Sequence, residues 1–313
     1  MIPFLFISTV LIWGTTWFAI ALQSGPVPAL ISIFYRFGVA GITFIALLAV
    51  TGRLKLPAKE HQIWLILQAL CLFSLNFICF YFAVRYIPSG LESVIFSLAT
   101  IFNAINARIF YGDRITIRVI AAGILGVSGL GLLFGRDIFA SGATEILYGV
   151  GLCLLGTMLF SLGNMVSRHN SQIGISPVTA NAWGMCYGTL ILLALIVATG
   201  TPIIAPPDMT YLAALLYLAI FGSIVAFTTY LILVARIGSA KAAYMTVLFP
   251  IIALAVSTMF EGYVWHWTSI LGLLLALAGN IVMFARKKNN AAPSDTQGTP
   301  RQGELANPAG AAS

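Results

Sequence analysis

The strongest constraint in this sequence is a series of long apolar stretches joined by short connections. About 20 apolar residues cross the roughly 30 Å hydrocarbon core of a bilayer as a helix. Ten such stretches lie at about residues 3–22, 28–50, 62–85, 88–111, 115–134, 146–167, 177–199, 210–235, 239–260 and 265–285. In lipid, backbone groups are satisfied only within helices or closed barrels, and the sequence lacks the alternating ten-residue strands of a barrel. We therefore predict an all-α integral membrane protein with ten transmembrane helices.

Composition supports this interpretation and excludes a soluble enzyme. Hydrophobic residues make up 60% of the chain and charged residues only 8%, whereas soluble domains carry roughly 25% charged residues. The four cysteines all lie inside apolar stretches and form no CxxC pair, which favours packing over a disulfide or a zinc site. We expect no metal, no cofactor and no catalytic residue.

The basic residues predict the orientation of the chain in the membrane. Alternate connections and the exit from the last span are basic, with Arg53, Lys55, Lys59, Arg108, Arg114, Arg118, Arg168, Arg236, Lys241 and the run Arg286, Lys287 and Lys288. The opposite connections carry only Arg85 and Arg136. The positive-inside rule then places both termini in the cytoplasm, as an even number of spans requires. Residues 289–313, rich in Ala, Pro, Gly, Asn and Ser, are predicted to be a disordered cytoplasmic tail.

The chain contains an internal repeat. Residues 87–136 align without gaps on residues 237–286. Eleven positions of the first copy are identical to the second: Ile87, Ser89, Leu98, Ile101, Phe110, Gly112, Ile120, Leu125, Gly129, Phe134 and Arg136. An odd number of spans in each half inserts the second half in the opposite sense. We therefore predict two inverted five-helix repeats, at 1–137 and 138–288, which is a common basis of alternating access.

Several short motifs resemble a known transporter family. The segment Trp13-Gly14-Thr15-Thr16-Trp17 resembles its "WG(S/T)" opening, Tyr35-Arg36-Phe37 its arginine in the second span, and Gly112-Asp113-Arg114 its "GE" exit, with Asp in place of Glu. On these residues, residues 3–287 resemble the drug/metabolite transporter superfamily with EamA-type repeats. The resemblance implies export of small metabolites or drugs across a bacterial inner membrane. Within the superfamily, the amino-acid exporter branch typified by YddG is the expected relative.

Polar residues inside the spans are the first candidates for substrate contact. In span six, Thr157, Ser161, Asn164 and Arg168 fall on one face of a helix. Further candidates in spans three and four are Asn76, Ser97 and Asn103. Such side chains avoid lipid and face either a wet cavity or a neighbouring helix. Substrate binding and hydrogen bonding between helices are both open interpretations.

Arg36 is the most informative of the in-span residues. It lies eight residues past Pro28, about 12 Å into the second span at 1.5 Å per residue. A cation at that depth needs water, an anion or a carbonyl group. A guanidinium matches a carboxylate in a two-pronged geometry. Arg36 therefore either binds a substrate carboxylate, extends to the interface, or holds neighbouring helices together.

Aromatic residues are candidates for lining a cavity. Those we expect near the substrate are Trp17, Tyr81, Trp183, Tyr187, Tyr230 and Tyr244. Their ring faces suit aromatic or zwitterionic solutes, although packing against neighbours is the alternative. Pro250 interrupts span nine where the first repeat has Thr100. A proline there removes a helical hydrogen bond, so Pro250 is either a gating hinge or a static kink.

Acidic residues argue against a proton relay through the membrane. Ser89 and Glu92 follow Pro88 with the spacing of a capping box, so we predict that Glu92 caps the fourth span. The other acidic residues fall near span ends or in connections. Facilitated diffusion is therefore at least as well supported as proton antiport.

These patterns together predict a transporter of the bacterial inner membrane. It would export small organic metabolites, chiefly aromatic or neutral amino acids, by alternating access. Its expected partners are a small-molecule substrate and the lipid bilayer, with no nucleic acid, and it is expected to be a monomer. The alternatives are a transporter of drugs, purines or sugars, with or without proton coupling, a membrane-embedded enzyme, or a structural or receptor subunit.

Overall fold

The fold is a bundle of membrane-length helices. The computed structural model describes residues 2–138, 143–237 and 245–284, and every regular element within them is helical. We label the helices α1 (Ile2–Leu22), α2 (Ala29–Val50), α3 (Lys59–Ala83), α4 (Ser89–Tyr111), α5 (Ile117–Ile138), α6 (Ala143–Gln172), α7 (Pro177–Thr199), α8 (209–237), α9 (Met245–Phe260) and α10 (Trp267–Phe284).

Eight of these helices, α1 to α8, are long and apolar enough to cross a membrane. The other two, α9 and α10, contain shorter apolar helices at Leu248–Phe260 and Trp267–Met283. The structure thus confirms an all-helical membrane protein. The total of ten spans and the inverted relation of the two halves stay predictions. Tyr244 and the tail at 289–313 lie outside the described residues.

Helix ends follow local capping chemistry. The side chains of Ser176 and Asp208 accept hydrogen bonds from backbone N–H groups at the starts of α7 and α8, which satisfies donors that have no partner inside the helix. Gly112 ends α4 with a φ of +70°, and Gly200 ends α7 with a φ of +63°. This left-handed conformation is strongly favoured for glycine.

Three helices depart from regular α geometry near their middles. In α3 the residues Cys71–Leu75 form a π-helical stretch, and in α8 the residues Tyr217–Val225 do so. In α4 the α-helix is interrupted between its parts Ser89–Phe96 and Ala99–Tyr111. Such interruptions frequently occur at functional sites.

The helices α5 and α10 pack tightly against one another. A Cβ atom built on Gly129 would lie 2.6 Å from the carbonyl oxygen of Gly272, and one on Gly279 would lie 2.9 Å from that of Ala122. Only glycine permits backbones to approach this closely. Other close pairs are α1–α9, α2–α7, α3–α6 and α4–α9, and α8 packs against α1 and α2. The core between these helices is rich in aromatic rings.

Candidate functional site

The guanidinium of Arg36 is enclosed near the centre of the bundle. The residue is 3% exposed, and its Cζ lies 4.4 Å from the ring centroid of Phe77 and 5.3 Å from that of Phe37. Both rings present their π systems to the cation, which attracts it. Nε donates a long hydrogen bond of 3.5 Å to Ser223 Oγ in α8. The arginine therefore connects α2 with the opposite half of the chain.

Tyr81 adds a second polar group to the same place. Its phenol interacts with the Arg36 guanidinium, and its hydroxyl donates to Gln23 Oε1 at 2.7 Å. The Gln23 Nε2 atom is buried and has no hydrogen-bond partner in the described part of the chain. The sequence singled out Arg36 and Tyr81 separately, and the structure brings them together.

No carboxylate of the described residues lies within ion-pair distance of Arg36. Its Nη1 atom is buried and makes no hydrogen bond to a described group. A buried charge without a counterion is unfavourable, and a guanidinium can donate two parallel hydrogen bonds to a carboxylate. The arrangement is therefore chemically suited to bind an anion.

The π-helical stretch of α8 places Ser223 opposite Arg36. The Ser223 hydroxyl donates 2.9 Å to the carbonyl oxygen of Leu218, five residues earlier, so its oxygen remains free to accept from the guanidinium. The adjacent Gly222 allows Thr16 of α1 to approach, because a Cβ there would lie 2.8 Å from Thr16 Cγ2. The sequence carries no local signal for the π geometry that positions Ser223.

A cluster of aromatic rings extends from Arg36 through Phe77. Phe77 and Phe80 have ring centroids 6.0 Å apart. Trp17 lies 5.3 Å from both Phe80 and Phe96. In this conformation the rings are packed against one another rather than separated by a channel. Trp17 is buried among them.

Other predicted polar residues pair across the contact between α4 and α6. Asn164 Nδ2 donates to Asn103 Oδ1 at 3.2 Å, and Asn106 Nδ2 donates to Ser161 Oγ at 2.8 Å. The hydroxyl of Ser97 donates to the Val94 carbonyl within α4. Three predicted site residues, Asn103, Ser161 and Asn164, thus form hydrogen bonds between α4 and α6. The structure does not bring them to Arg36.

Trp183 and Tyr187 bind groups just before and at the start of α3. Trp183 Nε1 donates to the Lys55 carbonyl at 2.9 Å, and the Tyr187 hydroxyl donates to the Gln62 side chain. These contacts attach α7 to the connection before α3 and to the first turns of α3. Neither residue is brought into contact with Arg36.

The last predicted site residues have separate surroundings. Asn76 is 1% exposed, and neither of its side-chain polar atoms has a described partner. Tyr230 packs against Trp13 at 5.3 Å between ring centroids. Pro250 lies inside α9 and is buried. Tyr244 lies outside the described residues.

The predicted capping role of Glu92 is wrong. The start of α4 is bound by Glu261, whose Oε2 accepts from Ser89 Oγ at 2.8 Å and from Ser89 N at 3.2 Å. Both carboxyl oxygens of Glu92 are buried and have no described hydrogen-bond partner. A capping box requires the side chain to turn back to the helix start. Here a carboxylate 172 residues away occupies that position.

The fold is that of a multi-pass membrane protein whose enclosed polar site lies between helices of both halves. Residues 1–135 and 147–285 match the EamA-like transporter family. The chain therefore belongs to that family, within the drug/metabolite transporter superfamily. This membership makes the protein a membrane transporter, as the sequence motifs predicted.

Relatives carry names consistent with transport. The chain is 27% identical over 259 residues to the inner membrane transporter YedA of Escherichia coli K12, covering 80% of each protein. It is 23% identical over 289 residues to the transporter YoaV of Bacillus subtilis 168, covering 90% of this chain and 97% of YoaV. Protein PagO of Salmonella typhimurium is 22% identical over 299 residues, covering 93% of this chain and 97% of PagO. The YddG-type branch stays a prediction.

A protein crystal structure has the same fold. It superposes with a TM-score of 0.63 at 18% identity and covers 90% of this chain and 95% of its own. At this identity the likeness concerns the fold alone.

Proposed function

We propose that this transporter exports small organic metabolites that carry a carboxylate, chiefly neutral or aromatic amino acids, and that Arg36 binds the carboxylate. The observation that supports this proposal is the enclosed guanidinium without a described counter-anion. The tyrosine, glutamine and serine beside it supply donors and acceptors for the rest of a zwitterion. The surrounding rings favour an aromatic or cationic portion of the substrate.

We further propose that the two halves are inverted repeats that alternate around this site. Exchanging each helix with the one five places later preserves the packing. The contacts α1–α9, α1–α8 and α2–α8 become α6–α4, α6–α3 and α7–α3, all of which occur. Local details follow the same relation, since the hydroxyls of Ser74 and Ser223 both donate to the carbonyl five residues earlier. Such pseudo-symmetry is the usual basis of alternating access.

Transport by the purified protein in liposomes tests the substrate class. We expect uptake of at least one labelled neutral or aromatic amino acid from a panel. Removing the charge with Arg36→Gln should weaken apparent affinity on the order of 10- to 100-fold, because charge-assisted hydrogen bonds contribute about 1.5–3 kcal/mol. Arg36→Lys should be impaired as well, since an ammonium cannot form the two-pronged contact.

The control is Arg85→Gln, because Arg85 is an exposed arginine that packs on Phe82 and should leave transport unchanged. A second comparison uses the decarboxylated amine of the best substrate. The wild type should transport this amine poorly, and Arg36→Gln should not lower the transport of the amine further. Transport of a different solute with no amino acid accepted would contradict the proposed substrate class. Equal losses for the amine and the amino acid in Arg36→Gln would remove Arg36 from carboxylate binding.

A further inference from the structure

Glu92 is a buried carboxyl group that the proposed transport site does not use. It lies in the first turn of α4, is 0% exposed, and both of its oxygens lack a hydrogen-bond partner among the described residues. The apolar cluster at this end of α4 includes Leu91, Val94 and Ile95 of α4, with Leu254 of α9 and Cys153 of α6. Glu92 adjoins this cluster, because Cys153 Sγ lies 3.5 Å from the Glu92 carbonyl oxygen.

The groups that face Glu92 make its ionised form unfavourable. The carboxylate of Glu261, directly after the end of α9, repels a negative charge on Glu92. Further titratable groups near this contact include the thiols of Cys153 in α6 and Cys79 in α3 and the phenol of Tyr263 at the edge of the cluster. Helix α1 has no titratable side chain. The side chains of Arg136 and Asp137 lie outside the described residues.

No basic side chain of the described residues forms an ion pair with Glu92. An unpaired carboxylate in apolar surroundings is strongly disfavoured relative to the neutral acid. The packing seen here therefore accommodates the protonated form of the side chain.

The contact that encloses Glu92 is between corresponding helices of the two halves. Gly90 lets α4 and α9 approach, because a Cβ on it would lie 2.9 Å from both Leu254 Cα and Ser257 Cβ. The Ser257 hydroxyl is also buried and has no described partner. The same helix end is held by the hydrogen bonds from Ser89 to Glu261. Two unpaired polar groups thus lie on either side of one closely packed contact.

We propose that Glu92 is a proton-binding site whose occupancy controls the contact between α4 and α9. Water at that end of the bundle, which is the predicted outer end, accepts the proton when the contact opens and returns it when the contact closes. The protonated acid stabilises the closed contact. The carboxylate, repelled by Glu261 and attracted to water, stabilises the open one. The role in export rests on the proposed function, since the contact would close the outer side of the transport site.

The accessibility of Ser257 tests this site without any substrate. The four native cysteines are replaced by alanine, and the Ser257→Cys reporter is labelled with a polar thiol reagent at several pH values. A Thr201→Cys reporter, in an exposed connection, gives the intrinsic pH dependence of the reaction. The normalised rate should rise with pH by up to about tenfold per unit, because the ratio of ionised to neutral carboxyl changes by that factor.

The variant Glu92→Gln keeps the shape of the side chain and cannot ionise. We expect it to make the normalised rate low and independent of pH, whereas Glu261→Gln should keep a pH dependence. The proposal is overturned if the normalised labelling rate does not depend on pH in the protein with native Glu92. It is also overturned if the rate depends on pH equally in Glu92→Gln. The infrared difference spectrum between wild type and Glu92→Gln provides a second measurement in the cysteine-containing protein. A protonated carboxyl band at neutral pH is expected, and a carboxylate band there also overturns the proposal.

Amino-acid flux separates this result from the substrate proposal. If the labelling rate depends on pH through Glu92 but no amino acid is transported, the substrate class is wrong and the proton site stands. If amino acids are transported but the labelling rate does not depend on pH, the proton site is wrong and the substrate class stands. With both confirmed, flux at fixed inner pH should depend on outer pH in the wild type and not in Glu92→Gln.

Discussion

At the residue scale, the polar side chains of the helices divide into paired and unpaired groups. Asn103 and Asn164 satisfy one another between α4 and α6, as interhelical hydrogen bonds do in membranes. Arg36 and Glu92 instead retain buried atoms without described partners. Helical spacing predicted which polar residues share a face. It carried no information on whether the facing surface is another helix or a binding site.

The exposed pair between Asp113 and Arg168 leads to a prediction about pH. Arg168 Nη1 donates to Asp113 Oδ2 at 2.7 Å, and this hydrogen bond lowers the pKa of Asp113. The pair therefore stabilises the fold fully above the ordinary aspartate pKa of about 3.9, and the contribution is lost as pH falls through the lowered value. Asp113→Asn should lower the melting temperature in detergent slightly at pH 6.

The melting temperatures of wild type and Asp113→Asn should converge near pH ~2, where both side chains are neutral. Arg168→Gln also removes the contact of Arg168 with the Tyr111 ring at 4.1 Å, so it should keep a deficit at low pH. Adding Asp113→Asn to Arg168→Gln should change the melting temperature little, because the ion pair is already absent. A constant difference between wild type and Asp113→Asn across this pH range would contradict the assignment.

At the element scale, helix ends were predictable and mid-helix irregularities were not. The glycine after each copy of the repeated span has a φ of +70° at both Gly112 and Gly262, as a glycine that ends a helix commonly does. The structure also places Pro250 inside α9 as predicted, and its gating role stays a prediction. No proline or glycine lies at the interruption of α4 just before Thr100, so the sequence did not predict it.

The close pairing of α5 and α10 gives a matched pair of substitutions. Gly129→Ala would place a Cβ 2.6 Å from the Gly272 carbonyl oxygen, so the helices must separate. The expected loss is about 1–3 kcal/mol in the free energy of unfolding. Gly131→Ala, on the same helix with no atom within 4 Å of the added Cβ, should be neutral or stabilising by up to about 1 kcal/mol. Reversible unfolding in mixed micelles measures both, and equal effects would rule out close packing as the cause.

At the scale of the whole molecule, composition, family and fold agree on a multi-pass membrane transporter. The family match covers both halves of the chain, and the contacts between helices follow an exchange of the two halves. Arg36 and Ser223 meet across those halves, 187 residues apart. A relative movement of the halves would therefore open or close the site around Arg36.

Orientation is a prediction for the entire molecule. The positive-inside rule places the connection with Lys55 in the cytoplasm and the one with Thr201 outside. In a background without native cysteines, Thr201→Cys should react with a membrane-impermeant maleimide in intact cells, and Lys55→Cys should react only in inverted vesicles. The Lys55 contact with Trp183 uses its backbone carbonyl, so the substitution preserves it. Labelling of Lys55→Cys from outside would reverse the topology.

The sequence by itself determined that this chain is an all-helical membrane protein, where most of its helices lie, and to which family it belongs. Those properties are local, because lipid forces each apolar segment to satisfy its own backbone. The tertiary structure alone decided the partners of the polar side chains. It brought Ser223 and Tyr81 to Arg36, and it placed Glu261 where it accepts hydrogen bonds from Ser89 at the start of α4. Such partners depend on how distant helices pack, and the enclosed, unpaired state of Glu92 follows from that packing.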